Sequence, residues 1–281
     1  MNNNIFSVGR LVTRQTLRSP NSSIWRNALI DACKHFEDKP LSVLQTPGGF
    51  IRGGFPMKDI VSGPKSNASD FSMITKAAGA FISKEIFSKS VLAALKKTTN
   101  YLTLGVDVRE ATDPNLERKA ELVGTYDTRK GRFINWTGKS YPAAGEEESL
   151  VYCTNYKSHF QYLGKKRVLI LACHDLNMFS PRSRASSAPN TYKAKTSALI
   201  QKMCDKFQPE VVLHHPHCTD TTKVWITGWV GVRRWITSAE TYASGINYAQ
   251  YYEVKGKCRQ PLETVLRGTA SGNVTDYVMP V

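Results

Sequence analysis

No stretch of this 281-residue chain approaches 18 consecutive apolar residues, so the sequence offers no segment able to cross a bilayer as a helix. Its first residues, MNNNIFSVGRLVTRQ, also lack the uninterrupted apolar centre of a secretory leader, which predicts a soluble, cytoplasmic protein without a membrane partner. There is no CxxC pair. The six cysteines, Cys33, Cys153, Cys173, Cys204, Cys218 and Cys258, are widely scattered; this excludes the dense framework of a small secreted domain and predicts free thiols. No GxxxxGK[ST] loop occurs, and TPGGFIRGGF has glycines without the lysine that phosphate binding needs. With no solenoid-period repeat and no linker, the chain reads as one domain over residues 1–281.

Acidic residues are in deficit. Against 38 Lys and Arg stand 23 Asp and Glu, and the net charge of +15 attracts polyanions or biases a pocket toward acidic substrates without naming either. The basic clusters Lys96-Lys97, Lys165-Lys166-Arg167 and Arg233-Arg234 are short and belong to no nucleic-acid module. Nucleic acid is therefore a partner that charge permits and no motif supports.

Helical spacing over 24–38, after an Asn-Ser-Ser stretch able to cap it, predicts a helix, and LSVLQ predicts a strand ending in the turn TPGGF. The Pro- and Gly-rich segment 55–71 reads as a surface loop. One long helix is expected over 74–100, running into the strand YLTLGVDV; ELVGTYDT and GRFINWTG flank Arg129-Lys130-Gly131 as a hairpin. RVLILACHD is a strand, TSALIQKMCDKF a helix and PEVVLHHPH a strand, while 225–254 holds a further helix and strand. Helices interleaved with apolar strands predict layered α/β architecture.

Two groups of residues can carry chemistry. Cys173 stands where VLILA meets a polar turn, a place that holds a nucleophile rigidly, although a lone strand-end thiol is more often inert. The cluster HHPHCTD brings His214, His215, His217 and Asp220 together. Neighbouring His214 and His215 point to opposite faces of a strand, so they do not share one ion easily, and neither metal nor cofactor is expected. Trp225, Trp229 and Trp235 suit a core or subunit interface, and Trp225 alone follows HHPH closely enough to line a cleft.

Taken in order along the chain, these segments resemble the nitrilase (carbon-nitrogen hydrolase) superfamily. VGTYDTRKGRFINWTGKSYP is similar to the segment that carries that family's lysine after a hairpin, here Lys139. VLILACHDLNMFSPR is similar to the nucleophile segment, placing Cys173 at the cysteine and Asp175 two residues on, 34 residues beyond Lys139. The resemblance implies a four-layer α-β-β-α sandwich, a homodimer, and thiol-dependent hydrolysis of a small amide or nitrile. Cys173 would be nucleophile, Lys139 the oxyanion stabiliser and Glu147, from the run Glu146-Glu147-Glu148, the supporting acid or base. His174, Asp175, His215 and Trp225 would line the substrate and oxyanion side, with the His174 peptide N–H in the oxyanion hole.

One position departs from the pattern. Where the family carries its first glutamate, this chain has Gly48. Either another group supplies the base, with His174, His215 and Glu147 as candidates, or the chain is a pseudoenzyme kept for binding. A rival resemblance, to the metal-dependent endonuclease/exonuclease/phosphatase family, rests on His174-Asp175-Leu176-Asn177 and Thr275-Asp276-Tyr277. It would need Gln45-Thr46 at a metal position and Tyr277 where that family has histidine.

Overall fold

The computed structural model describes residues 6–15, 17, 22–54, 68–109, 119–143, 145–146, 149–186, 188–249 and 259–280. Its first sheet is built from β1 (Val8–Thr13), β2 (Leu41–Gln45), β3 (Ile51–Gly54), β4 (Thr99–Arg109), β5 (Lys119–Asp127), β6 (Arg132–Gly138), β11 (Ile246–Asn247) and β13 (Val274–Val278). The order β11-β1-β2-β4-β5-β6 runs across it, β13 also pairing with β1 and β3 with β4. The second sheet has the order β12-β10-β9-β8-β7, from β7 (Phe160–Leu163), β8 (Lys166–Ala172), β9 (Val211–His215), β10 (Thr241–Ser244) and β12 (Ala270–Ser271).

Apolar alternation decides what each sheet faces. On β4, Leu102, Leu104, Val106 and Val108 turn outward into a core shared with α1 (Ser23–His35), α2 (Ala68–Phe81) and α3 (Lys89–Thr98). On β8 and β9, Leu169, Leu171 and Val212 turn outward to a core that includes Ile200 of α5 (Tyr192–Phe207) and Trp229 of α6 (Ile226–Trp235). Between the sheets lies a third core, in which Val8, Val43 and Val123 meet Val168, Ile170 and Leu213. The result is the expected α-β-β-α sandwich. Two shorter helices, α4 (Pro181–Ser186) and α7 (Leu262–Gly268), complete it.

The expected strands at LSVLQ and YLTLGVDV and the 119–138 hairpin are present, the hairpin closing through Asp127 to Gly131, where Gly131 takes φ +65°. The single helix expected over 74–100 is instead broken. A π-helical turn at Ile82–Ile86 interrupts it, and Ser88 caps a fresh helix by accepting the Val91 N–H, so Ile82, Ile86 and Val91 all reach the core. The strand expected over RVLILACHD stops three residues earlier, at Ala172, and Cys173 opens a 3₁₀ segment that runs to Phe179. Most of the loop expected at 55–71 lies outside the described residues; its last four residues begin α2.

Candidate active site

Strand ends from both sheets converge on Cys173. Its thiol is 6% exposed, at the C-terminal end of β8, a parallel neighbour of β9. His214 of β9 bonds the Cys173 carbonyl through Nε2 at 2.7 Å and Ser244 Oγ through Nδ1 at 2.7 Å, fixing the nucleophile's turn to the second sheet. Burial pushes the His214 imidazole down to about 3, so it is neutral there.

Asp175, fully buried, joins that turn to the segment carrying Lys139. One of its oxygens accepts the peptide N–H groups of Ser140 and Tyr141, each at 2.8 Å, and the other accepts that of Ala172 at 3.0 Å. Expected on the substrate side, it instead joins the 139–141 segment to the turn at Cys173.

Lys139 reaches Glu121 Oε1 at 2.9 Å and Glu146 Oε2 at 2.6 Å while being 1% exposed. Burial opposes its charge, but Glu121, the Cys173 sulfur and Glu146 outweigh burial and hold the ammonium well above its ordinary range. Glu146 also takes an ion pair from Lys119 and the Ala143 N–H; burial pushes it up, yet these partners bring it down to about 2. Glu147, expected as the supporting acid or base, lies outside the described residues, and it is the neighbouring Glu146 that pairs with Lys139.

Glu121 brings a carboxylate oxygen to within 4.8 Å of the Cys173 sulfur. It stands on β5 directly opposite Asp107 of β4, both turned to the inter-sheet side. Facing like charges repel, and here cations fill the space between them. His217 Nε2 lies 2.6 Å from Asp107 Oδ1, His217 Nδ1 lies 3.4 Å from Glu121 Oε2, and Arg52 Nε lies 3.4 Å from Asp107 Oδ2. Four acidic groups, Asp107, Glu121, Glu146 and the Cys173 thiol, thus meet four cations, Arg52, Lys119, Lys139 and His217.

The His217 peptide N–H donates to Cys173 Sγ at 3.5 Å, and one imidazole nitrogen, one Glu121 oxygen and Cys173 Sγ lie within 4.8 Å of one another. Burial disfavours the imidazolium, but Asp107, Glu121 and Cys173 raise its pKa well above the ordinary value. Burial alone would likewise push the Cys173 thiol up, and the His217 and His174 imidazoles overcome it to bring the thiol down to about 6. Thiolate and imidazolium stabilise each other. The same three side chains, Glu121, Cys173 and His217, have donor types and spacing that would suit a thiophilic divalent ion. Lys139, already seated on Glu121, competes with one there.

His217 sits where it does because Gly48 and Gly49 have no side chains. The Gly48 N–H donates to the Pro216 carbonyl at 3.0 Å, and a Cβ on Gly48 would lie 2.3 Å from the His215 carbonyl oxygen. Gly49, at φ +60°, would set a Cβ 2.8 Å from His217 Cδ2.

The other expected positions divide. His174 lies beside the thiol, its ring edge-on to Trp225 at 5.6 Å. Trp225 is buried, donates Nε1–H to the Cys218 carbonyl at 3.3 Å and walls the site behind His174 and His214. His215 is not at the thiol: paired with Ala172, it turns into the inter-sheet core, where burial pushes it down to about 3. The rival metal positions are dispersed. Gln45 Nε2–H donates to the His214 and Ala243 carbonyls, Asp276 pairs with buried Arg10 at 2.6 Å, and Tyr277 packs on His35. Glu121 and Asp107 were not singled out from sequence as site residues, and His217 was noted only within the HHPHCTD cluster.

The architecture is that of the nitrilase-superfamily amidases. Among solved structures, a double mutant of the amidase from Nesterenkonia sp. AN1 in complex with acrylamide is 12% identical, with 88% of this chain and 78% of that chain covered and a TM-score of 0.51. A cysteine mutant of the same amidase, from the nitrilase superfamily, gives 12% identity over 86% of this chain and 76% of that one, with a TM-score of 0.50. No protein-family model matches the sequence, and no curated protein matches it. The likeness is thus one of fold in a divergent chain.

Proposed function

We propose that this protein is a divergent member of the nitrilase superfamily, a thiol-dependent hydrolase of a small-molecule amide or nitrile. The observation that carries the reading is the meeting of Cys173, Lys139 and Glu121 from three different strand ends. Cys173 attacks the amide or nitrile carbon as a thiolate. Lys139, with the His174 peptide N–H, stabilises the negative charge that develops on the substrate heteroatom. Glu121 has Oε1 on Lys139 and leaves Oε2 buried without a hydrogen-bond donor in bonding geometry, facing the thiol; it activates the water that cleaves the acyl-enzyme. Glu146 holds Lys139 in place. Gly48 is thereby compensated from β5, which favours an active enzyme over a binding relic.

Two copies are proposed to pair. Leu199 on α5, with Ile226 and Val230 on α6, leaves apolar side chains exposed on one outer layer, where a partner copy would cover them. Cytoplasmic residence is part of the same reading, in keeping with the free thiols among the described residues.

The test is ammonia release from a panel of short aliphatic amides and nitriles, with mass spectrometry of the intact protein for the acyl adduct. Turnover and adduct should both vanish in Cys173→Ala. In Lys139→Met turnover should fall by about 10²–10³-fold, the size expected for removing one oxyanion donor. Undiminished turnover in Cys173→Ala overturns the proposal.

A further inference from the structure

A histidine lodged between two carboxylates and a thiol has no part in the roles just assigned, and its surroundings point to one. Asp107 holds His217 Nε2 at 2.6 Å, which fixes the ring and leaves Nδ1 toward Glu121 Oε2 and the Cys173 sulfur. We infer that His217, oriented by Asp107, is the imidazolium partner of the Cys173 thiolate and the proton donor to the leaving nitrogen. The inference rests on the hydrolase reading above and adds a catalytic group to it.

The proton and electron counts close around these residues. The thiolate forms a C–S bond to the carbonyl carbon while the C=O π pair moves to oxygen, facing Lys139. Collapse restores C=O and breaks C–N, and the departing nitrogen takes the Nδ1 proton of His217, leaving as an amine or ammonia. Glu121 Oε2 then takes a proton from water, hydroxide adds to the thioester, and the C–S pair returns to sulfur as the acid departs. The proton on Glu121 passes to His217 Nδ1, 3.4 Å away, and restores the imidazolium. No oxidant, reductant or metal enters.

The groups facing His217 explain why it can hold this proton. Asp107 and Glu121 face it from the first sheet, and Cys173 and His174 from the turn after β8. Neutral His214 lies behind the thiol, while Arg52 and Lys139 temper the two carboxylates. Acidic partners dominate the immediate shell, so the imidazole is charged when substrate arrives.

The test compares an amide with a p-nitrophenyl ester of the same acyl group. Both meet the same thiolate, so the ratio of their kcat/KM values cancels the thiolate fraction. The ester's leaving group needs no proton, whereas the amide's does. In His217→Gln the amide-to-ester ratio should fall by about 10²-fold or more, within the range of general acid catalysis, and Asp107→Asn should move it the same way by less. An unchanged ratio in both variants overturns the inference. If the wild type hydrolyses neither substrate, the hydrolase reading fails by itself. The pairing is then read from the pH dependence of Cys173 alkylation by iodoacetamide. A midpoint that rises in both variants supports the thiolate–imidazolium pair, and a midpoint unmoved in either overturns it.

Discussion

Asp175 holds the Ser140 peptide N–H at 2.8 Å, and through that bond the segment bearing the site's lysine is tied to the turn bearing its thiol. The same oxygen takes the Tyr141 N–H, and the second oxygen takes that of Ala172, so a fully buried carboxylate is satisfied by three backbone donors. Lys139 and Cys173 keep their relative position because a third side chain is shared between their neighbours.

Asp175→Asn is therefore expected to cost more than one hydrogen bond. An amide NH₂ would face either the Ala172 N–H or the Ser140 and Tyr141 N–H groups, donor against donor. A loss of about 1–3 kcal/mol in urea unfolding is expected from leaving buried donors unmatched, with slower Cys173 alkylation as the turn loosens. Stability and alkylation rate both equal to wild type would remove the clasp role.

His159 is buried with both of its ring nitrogens against oxygens. Its Nδ1 meets the Ile170 carbonyl at 2.7 Å and its Nε2 meets Ser140 Oγ at 2.8 Å, while that hydroxyl gives its own proton to the Cys153 carbonyl at 2.6 Å. Both ring nitrogens face oxygens, an arrangement that suits an imidazolium. Burial works against it; Cys153, Asp175 and the Ile170 carbonyl raise it from 6.5 to about 9. A raised pKa gives stability that is complete below pH 6.5 and lost as pH rises through 9. Urea midpoints should fall across that window in the wild type and stay flat in His159→Gln.

Glu146 predicts the opposite limb. Held at about 2 against an ordinary 4.5, it stabilises the fold above pH 4.5 and loses that contribution as pH falls toward 2. Glu146→Gln should lower thermal stability at pH 7 and flatten the acid limb between those values. It should also slow turnover, since Lys139 loses one of two partners. An acid limb unchanged in the variant would mean that Glu146 is not the clamp.

Gly48→Ala tests the close approach of two loops. A methyl 2.3 Å from the His215 carbonyl oxygen forces backbone to move, at a cost of about 1–3 kcal/mol. The displaced 215–217 segment should carry His217 off Asp107, and the alkylation midpoint of Cys173 should rise with it. A variant as stable as wild type with an unmoved midpoint would show that the loops do not need the space.

Much of the architecture was legible because apolar periodicity switches cleanly between strand and helix, as in YLTLGVDV and TSALIQKMCDKF. Cys173 and Lys139 were paired through the order of segments in the resemblance, and the structure brings the two side chains close together. The run Glu146-Glu147-Glu148 could not be resolved by spacing, since neighbouring residues of a turn point in unrelated directions. Asp107 and Glu121 were hidden for a different reason. Each is a charged residue flanked by apolar neighbours in its strand, and only the register of β4 against β5 shows that they face one another. The long helix was overcalled because a π-helical turn keeps the apolar spacing on both sides of the break.

The glycine pair at 48 and 49 has a steric consequence. A side chain at position 48 and a histidine brought in by the 215–217 segment claim the same space, so the two layouts exclude each other. Reintroducing glutamate at 48 alone would collide with the His215 carbonyl before it could reach the thiol. A side chain at 48 therefore requires the 215–217 backbone to withdraw first, whatever chemistry that side chain carries.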